Sequence, residues 1–579
     1  DLTFVLVDGP AHGQVTLNAD GTYAYTADAT YTGSDVFRYR SVDADGLTSA
    51  VAEVSLTLAP QAFSAGEEFQ VNTYTSNEQV RPSVATFADG GYVIVWQSNG
   101  QDGNNWGVFG QHYDASGAAV GGEFQVNTYS YSSQANPIVT TLAGGGYVVV
   151  WHSYGQDGSK HGIYGQRYDA TGVAAGSEFR VNTRTSNEQH TPFVTALADG
   201  GYVVVWQSDR QDGSGYGIYG QRYDATGVAA GSEFRVNTYT ISSQVNAAVT
   251  AFGDGGFVIV WQSNGQEGRS QGVYGQRYDA AGAAVGSEFQ VNTHISDLQV
   301  KPAIAALSNG GFVVVWQSNG QDSSGYGIYG QRYDAAGAVD GSEFQVNTYT
   351  SGEQGDPAVS ALADGGFMVV WQSSGEDGSG YGIYGQRYDV SGVAVGDEFL
   401  INTYTSGDQQ YAEVTVLADG RFVVAWASAG QDGSGNGVYS KVYDFAPMSV
   451  TGTASNDVLV GGLADDILDG GAGADRLDGG SGDDWLIGGD TTSADTFVFK
   501  TGYGHDTIAD FTPQAGMPSG QPGVDVIEIG VTGVQSVANA LDLAAQVDAD
   551  VVLTFGADTL TLKNVQLSDL GADNFQFAS

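Results

Sequence analysis

Four aspartates stand nine residues apart toward the C-terminal end of the 579-residue chain: Asp457, Asp466, Asp475 and Asp484. Each is the sixth residue of a nonapeptide: Gly452-Thr-Ala-Ser-Asn-Asp-Val-Leu-Val460, Gly461-Gly-Leu-Ala-Asp-Asp-Ile-Leu-Asp469, Gly470-Gly-Ala-Gly-Ala-Asp-Arg-Leu-Asp478 and Gly479-Gly-Ser-Gly-Asp-Asp-Trp-Leu-Ile487. Glycine lets the backbone turn sharply and offer its carbonyl oxygens, while aspartate adds a hard anionic oxygen. Leu459, Leu468, Leu477 and Leu486 recur two places later as an apolar row. An Asp/Gly-rich linker would share the composition but not four copies in phase. The chemistry of such a set is capture of a hard cation by oxygen ligands.

This run resembles the Gly-Gly-x-Gly-x-Asp-x-(apolar)-x repeat of RTX proteins, a calcium-binding parallel β-roll. The resemblance implies Ca2+ held between turns two nonapeptides apart, which pairs Asp457 with Asp475 and Asp466 with Asp484. Ser455 and Ala464 stand where the family has Gly. Residues 495–579 carry Asp495-Thr-Phe-Val-Phe499, His505-Asp-Thr-Ile-Ala-Asp-Phe511, Asp525-Val-Ile-Glu-Ile529, an expected helix near Ser536 and the ending Asn574-Phe-Gln-Phe577. They resemble the cap of RTX proteins exported by type I secretion. That implies the type I secretion apparatus as a partner, an uncleaved C-terminal signal and an extracellular location, with or without attachment to a cell surface.

Composition agrees with cations as partners. Sixty-six acidic against 20 basic residues give a net charge of -46, which disfavours nucleic acid and anionic membrane surfaces. There is no cysteine, so packing or metal must do what disulfides do elsewhere. No apolar run reaches the length of a membrane span, and no signal peptide is visible at the N-terminus.

Catalytic arrangements are not recognisable: there is no His-Glu-x-x-His and no Gly-x-Ser-x-Gly, and His numbers only 7. The chain reads as non-enzymatic on this ground. Two polar sets recur every 55 residues, glutamines at 79, 134, 189, 244, 299, 354 and 409, and the acidic residues Asp102, Asp157, Asp212, Glu267, Asp322, Asp377 and Asp432. Either Gln bonds loop backbone and Asp-Gly makes turns, or the loops form seven sites for glycan or calcium beside Tyr216, Tyr326, Tyr381 and Trp106. One sector deviates, with His152, Lys160, His161, Arg184, His190 and Arg210. Drift between copies explains it, or these residues bind an anion or acidic sugar. In the second case binding should strengthen as pH falls through the usual histidine range near 6.5.

The elements that must position these residues follow from seven tryptophans, Trp96, Trp151, Trp206, Trp261, Trp316, Trp371 and Trp426, spaced by 55 residues. Each unit holds four apolar, β-branched or aromatic runs bounded by Gly, Asp, Asn and Ser, hence four short strands. The spacing predicts an all-β protein built on a seven-bladed β-propeller. Glu68 to Thr73 opens the repeat as an outermost strand, so it should pair with Gly437 to Tyr443 and latch the ring.

Residues 1–60 alternate as short strands with turns at Asn18 to Gly21 and Asp43 to Gly46, and the segment Gly9 to Tyr23 resembles bacterial cadherin-like or immunoglobulin-like domains. That family has further strands before this point, which implies that Asp1 lies inside a domain of a longer chain. The expected organisation is a partial β-sandwich over 1–60, the propeller over 61–446, and the roll with its cap over 447–579. The functional expectation is an extracellular calcium-binding adhesin or surface protein whose propeller binds or displays a ligand. A self-assembling surface-layer or matrix protein, and a polysaccharide lyase or glycosidase on the propeller, stay open as alternatives.

Overall fold

The computed structural model describes residues 3–577 apart from 10–12, 18–22, 28–32, 43–47, 50, 59–62, 267, 269, 419, 446–448, 462–463, 481, 490–492, 501–502, 514–522, 532–533 and 557. The turns at 18–21 and 43–46, Glu267 and the Pro60 linker lie outside the described residues. The chain divides into two compact units, one of Ala65–Gly392 with Asp397–Tyr443, the other of Asp1–Ser64, Val393–Gly396 and Asp444–Ser579.

The first unit is the propeller. In its first blade the strands Gln79–Thr86, Tyr92–Asn99, Trp106–Tyr113 and Ala119–Gln125 form one antiparallel sheet in chain order. The second strand carries Tyr92 to Trp96 at 0% exposure, since both of its faces meet neighbouring apolar layers. Trp96 packs with Leu417, Val423 and Val438 of the last blade, and Trp151 with Val93 and Val95 of the first, so each indole sits between blades. The hairpin joining the first two strands turns at Asp89-Gly90-Gly91, where Gly90 has φ +84 and a Cβ on Gly91 would press the Tyr113 carbonyl oxygen.

The ring closes as the phase of the repeat predicts. Phe69 and Gln70 pair with Ser440 and Tyr439, and the Val71 amide donates to the Val438 carbonyl at 2.8 Å. A side-chain clasp repeats the closure. The outer-strand Glu123 accepts from the amide and hydroxyl of Thr73, Glu178 does the same for Thr128, and so on around the ring, ending with Glu68 accepting from Thr403. The final clasp joins residues 335 apart in sequence, by the same contacts that elsewhere span 50.

Each first strand contains a bulge. Arg81, Asn136, Thr191, Asn246, Lys301, Asp356 and Tyr411 occupy it with φ between 48 and 59. Left-handed backbone is costly for residues with a Cβ, so a ring of it is stored strain around the axis.

The second unit is built on two columns of parallel strands. One stacks Asn456–Val460, Arg476–Asp478, Thr496–Lys500, Val526–Gly530 and Phe575–Phe577. The other stacks Ser449–Thr451, Ile467–Asp469, Trp485–Ile487, His505–Ile508 and Asp558–Leu562. Successive nonapeptides therefore alternate between columns. Their leucines, all at 0% exposure, share one core with Phe497, Ile508, Ile527 and Leu560. A six-residue helix, Val537–Asp542, is capped by Ser536 as the sequence suggests. At the other end of the first column Ala52–Leu58 pairs in parallel with Asn456–Val460.

Candidate functional site

The nonapeptide aspartates are buried to within 1 to 2% exposure and stack in register. Asp475 Oδ1 accepts from the Asp457 amide and Asp484 Oδ1 from the Asp466 amide, both at 2.8 Å, which is the pairing two nonapeptides apart. The ladder continues beyond the four copies. Asp495 accepts from the Asp475 amide at 2.9 Å, Asp506 from Asp484 at 3.1 Å and Asp525 from Asp495 at 3.0 Å. The sequence offered a signal for these three: each is followed two places on by a buried apolar residue, Phe497, Ile508 or Ile527, as in the nonapeptides.

The column suits a hard cation. One oxygen of each rung serves the neighbouring turn, and Asp484 Oδ2 and Asp506 Oδ2 are buried without a hydrogen-bond partner. Beside the rungs, a Cβ on Gly471 (φ +87) would collide with the Thr453 carbonyl oxygen, and one on Gly482 (φ +130) with that of Ala464. Only glycine fits this close to these carbonyls, of which that of Thr453 also accepts from the Ala472 amide at 3.0 Å, and carboxylate plus carbonyl oxygens are the donor set calcium takes. Burial pushes the Asp484 and Asp495 carboxyls up to about 8 and Asp506 to about 9, with neighbouring aspartates adding to the effect. Arg476 pairs with Glu528 and Lys500 with Asp478. In the first copy the donors come from the same turn, Thr453 supplying its amide and hydroxyl to Asp457 Oδ2, and Oδ1 is buried without a hydrogen-bond partner.

On the propeller, the recurrent glutamines are consumed internally. Gln79 is at 0% exposure, donates to the Ser76 carbonyl and the Ser98 hydroxyl, and accepts from Asn72. Asp102 Oδ1 accepts from the Asn104 amide within its turn, and Gln101 reaches the clasp carboxylate Glu123. The turn contacts account for one oxygen of the loop aspartate, while the other, at Asp102, Asp157, Asp322, Asp377 and Asp432, is buried without a hydrogen-bond partner. Another glutamine set, present in five of the seven blades directly after the Trp, crosses between blades: Gln97, Gln207, Gln262 and Gln372 accept from the amide of the left-handed residue in the next blade at 2.8 to 3.4 Å.

The deviant sector does converge. The rings of His152 and His161 lie 4.9 Å apart, and His190 stands 6.2 and 6.3 Å from them. Lys160 pairs with Glu188 at 3.3 Å, Glu188 also accepts from Tyr216, and the Arg184 guanidinium donates to the Arg210 carbonyl. The expectation of imidazoles charging near neutral pH is not met. Burial and mutual repulsion hold His152 well below the ordinary value and His190 down at about 4, and burial lowers His161. Positive charge on this rim belongs to Lys160, Arg184 and Arg210.

Sequence reasoning passed over the axis. A cavity of about 420 Å³ opens there, floored by Pro82, Pro137, Pro192, Pro302 and Pro357. The Arg81 guanidinium lies 4.6 Å over the Tyr411 ring and Lys301 pairs with Asp356. Glu413 lines the wall where other blades place Ser83, Ile138, Phe193, Ala248, Ala303 and Ala358; burial first, then Asp356, raises its carboxyl to about 7.

Residues 451–490 match the family model of the RTX calcium-binding nonapeptide repeat in four copies, and residues 1–60 match that of the bacterial cadherin-like domain. The chain thus combines calcium-binding RTX repeats, a cadherin-like domain and a seven-bladed propeller. Among curated proteins none matches this sequence. Similar solved structures include a protein of unknown function from Dyadobacter fermentans, at 11% identity and TM-score 0.44, covering 66% of this chain and 99% of that one. An α-L-arabinanase from Penicillium chrysogenum complexed with arabinobiose is 16% identical with TM-score 0.39, covering 53% and 92%. At these values neither lends its activity to this chain. Among the described residues no helix is long and apolar enough to cross a membrane.

Proposed function

We propose that this chain belongs to an extracellular adhesin or surface protein in which the roll folds on calcium and the propeller binds or displays a ligand. The observation that carries the reading is the ladder of buried carboxylates, in which Asp484 and Asp506 each keep a buried oxygen without a hydrogen-bond partner, while Arg476 and Lys500 pair with Glu528 and Asp478. Asp466, Asp475, Asp484, Asp495 and Asp506 would hold calcium, with Asp457 at the incomplete end. When bound, calcium supplies the positive charge that keeps these carboxylates ionised inside the fold. Sites of extracellular affinity, with Kd on the order of 10⁻⁴ to 10⁻³ M, stay empty in a cytosol and fill outside. That suits export by type I secretion followed by folding. The three-part division at 1–60, 61–446 and 447–579 is the modular form of this reading.

The propeller ligand in this reading is an acidic glycan held on the rim by Lys160, Arg184 and Arg210, with His152, His161 and His190 as neutral hydrogen-bonding partners. Arg184→Ala with Arg210→Ala should weaken binding of uronic-acid or sulfated polysaccharide, and the wild-type affinity should fall with salt, since rim charges are screened within about 8 Å at physiological ionic strength. Equal affinities would remove the sector from the account.

A second reading, a lyase or glycosidase on the propeller, is favoured by Glu413, a carboxyl held near neutrality in the axial cavity as a general acid or base requires. Polysaccharide cleavage abolished by Glu413→Gln would support it, and cleavage retained in that variant would end it.

A further inference from the structure

The gap between the second and third blades is filled by His190, with His152, His161, Tyr216 and Glu188 around it. The equivalent gap between the fifth and sixth blades has Gly355 at the place of His190, with Gln317, Tyr326, Tyr381 and Glu353 in the surrounding positions. A recess of about 270 Å³ opens there. It adjoins the axial cavity, because Lys301 and Asp356 line both.

Its polar groups are incompletely used. Gln317 belongs to the set that clasps the next blade, yet its Oε1 is buried without a hydrogen-bond partner, and the residue is only 6% exposed. A buried acceptor left unpaired is costly, so a ligand donor is favoured there. Tyr381 donates to Glu353 at 3.3 Å, which leaves that carboxylate further acceptor capacity. Tyr326 and Tyr381 present partly exposed rings from the same position in consecutive blades.

We propose that this recess binds one residue of a neutral saccharide, whose chain continues toward the axial cavity. A pyranose offers hydroxyl donors in several directions to Gln317, Glu353 and Asp356, and a C–H face to a tyrosine ring. An anion is disfavoured, because Glu353 and Asp356 outnumber Lys301. A bare cation meets Asp356 already neutralised by Lys301. The proposal rests on the reading of the propeller as a ligand-binding module, but places its ligand in a different sector and gives it a different charge from the rim site.

The test is calorimetric titration of the full chain, with calcium, against unsubstituted malto-, cello-, manno-, galacto- and xylotriose. Gly355→Val is the informative variant, because valine already stands at this position as Val80, Val245 and Val300, and the new Cβ meets only the movable amide end of Gln317. The wild type should bind at least one trisaccharide, Gly355→Val should bind it at least tenfold more weakly, and Gln317→Met should also weaken it. Acidic polysaccharide binding at the rim should be unchanged in both variants, which reports that they fold. No trisaccharide bound by the wild type, or equal binding by Gly355→Val, overturns the recess site. If acidic polysaccharide still binds in that case, the ligand-binding reading survives without it.

Discussion

His152 shows how one substitution in a repeat changes the physics of its sector. Five blades carry glutamine at this position, in four of which it accepts from the next blade's amide; the imidazole adds a titrating group to a buried site. The folded state depresses the His152 and His190 pKa values, so the unfolded chain binds more protons once pH falls below about 6.5. Stability is therefore fully present above that value and is lost as pH falls toward about 4. His152→Gln should raise the propeller melting temperature by roughly 2 °C at pH 5 and leave it unchanged at pH 8, read by calorimetry. An equal shift at both pH values would mean that packing, not protonation, separates the two residues. In the roll, Gly482 has φ +130 and a carbonyl in the path of any Cβ. Gly482→Ala should raise the calcium concentration needed to fold this unit, and an unchanged midpoint would show that the carbonyl column is not part of the site.

Among the elements, the short strand at Phe69–Gln70 carries the closure of the ring. Deleting residues 61–75 removes its pairing with Tyr439–Ser440, the Glu68–Thr403 clasp and the bond from the Val438 amide to Asn72, exposing an unpaired edge. The variant should melt several degrees lower and associate, as seen by light scattering; a monomer with the wild-type transition would contradict the latch. This closure was legible because the Glu-Phe-x-Val-Asn-Thr signature marks the outer strand by side-chain type. The left-handed ring was not legible, since Arg81, Asn136, Thr191, Asn246, Lys301, Asp356 and Tyr411 share a backbone conformation and no chemistry. Glu413 was hidden for the same reason: it is unusual only against the six residues at the same position of the repeat. The upper rungs of the ladder were half hidden. Asp495 and Asp506 follow their predecessors by 11 residues instead of nine, so the period fails while the Asp-x-apolar triplet persists. Convergence of the three histidines could be read from the repeat register, but their neutrality depends on burial that only the packed structure supplies.

For the molecule as a whole, a net charge of -46 makes the folded state sensitive to cations, and the ladder concentrates that sensitivity in one unit. At about 100 times Kd each filled site contributes roughly 2.7 kcal/mol. Several sites of that size decide whether the roll is folded, while the propeller is held by seven buried indoles and needs no such help. Calorimetry of the full chain should therefore show two transitions, one raised by calcium and erased by chelator and one indifferent to both. The most direct test is calcium titration of wild type and of Asp475→Ala with Asp484→Ala, followed by calorimetry and circular dichroism together. The account predicts that wild type takes up several calcium ions with a gain in β signal and a new transition, and that the double variant loses most of the uptake and the whole of that gain while the propeller transition stays in place. Uptake and spectra unchanged in the double variant would contradict the assignment of the aspartate ladder as the calcium site.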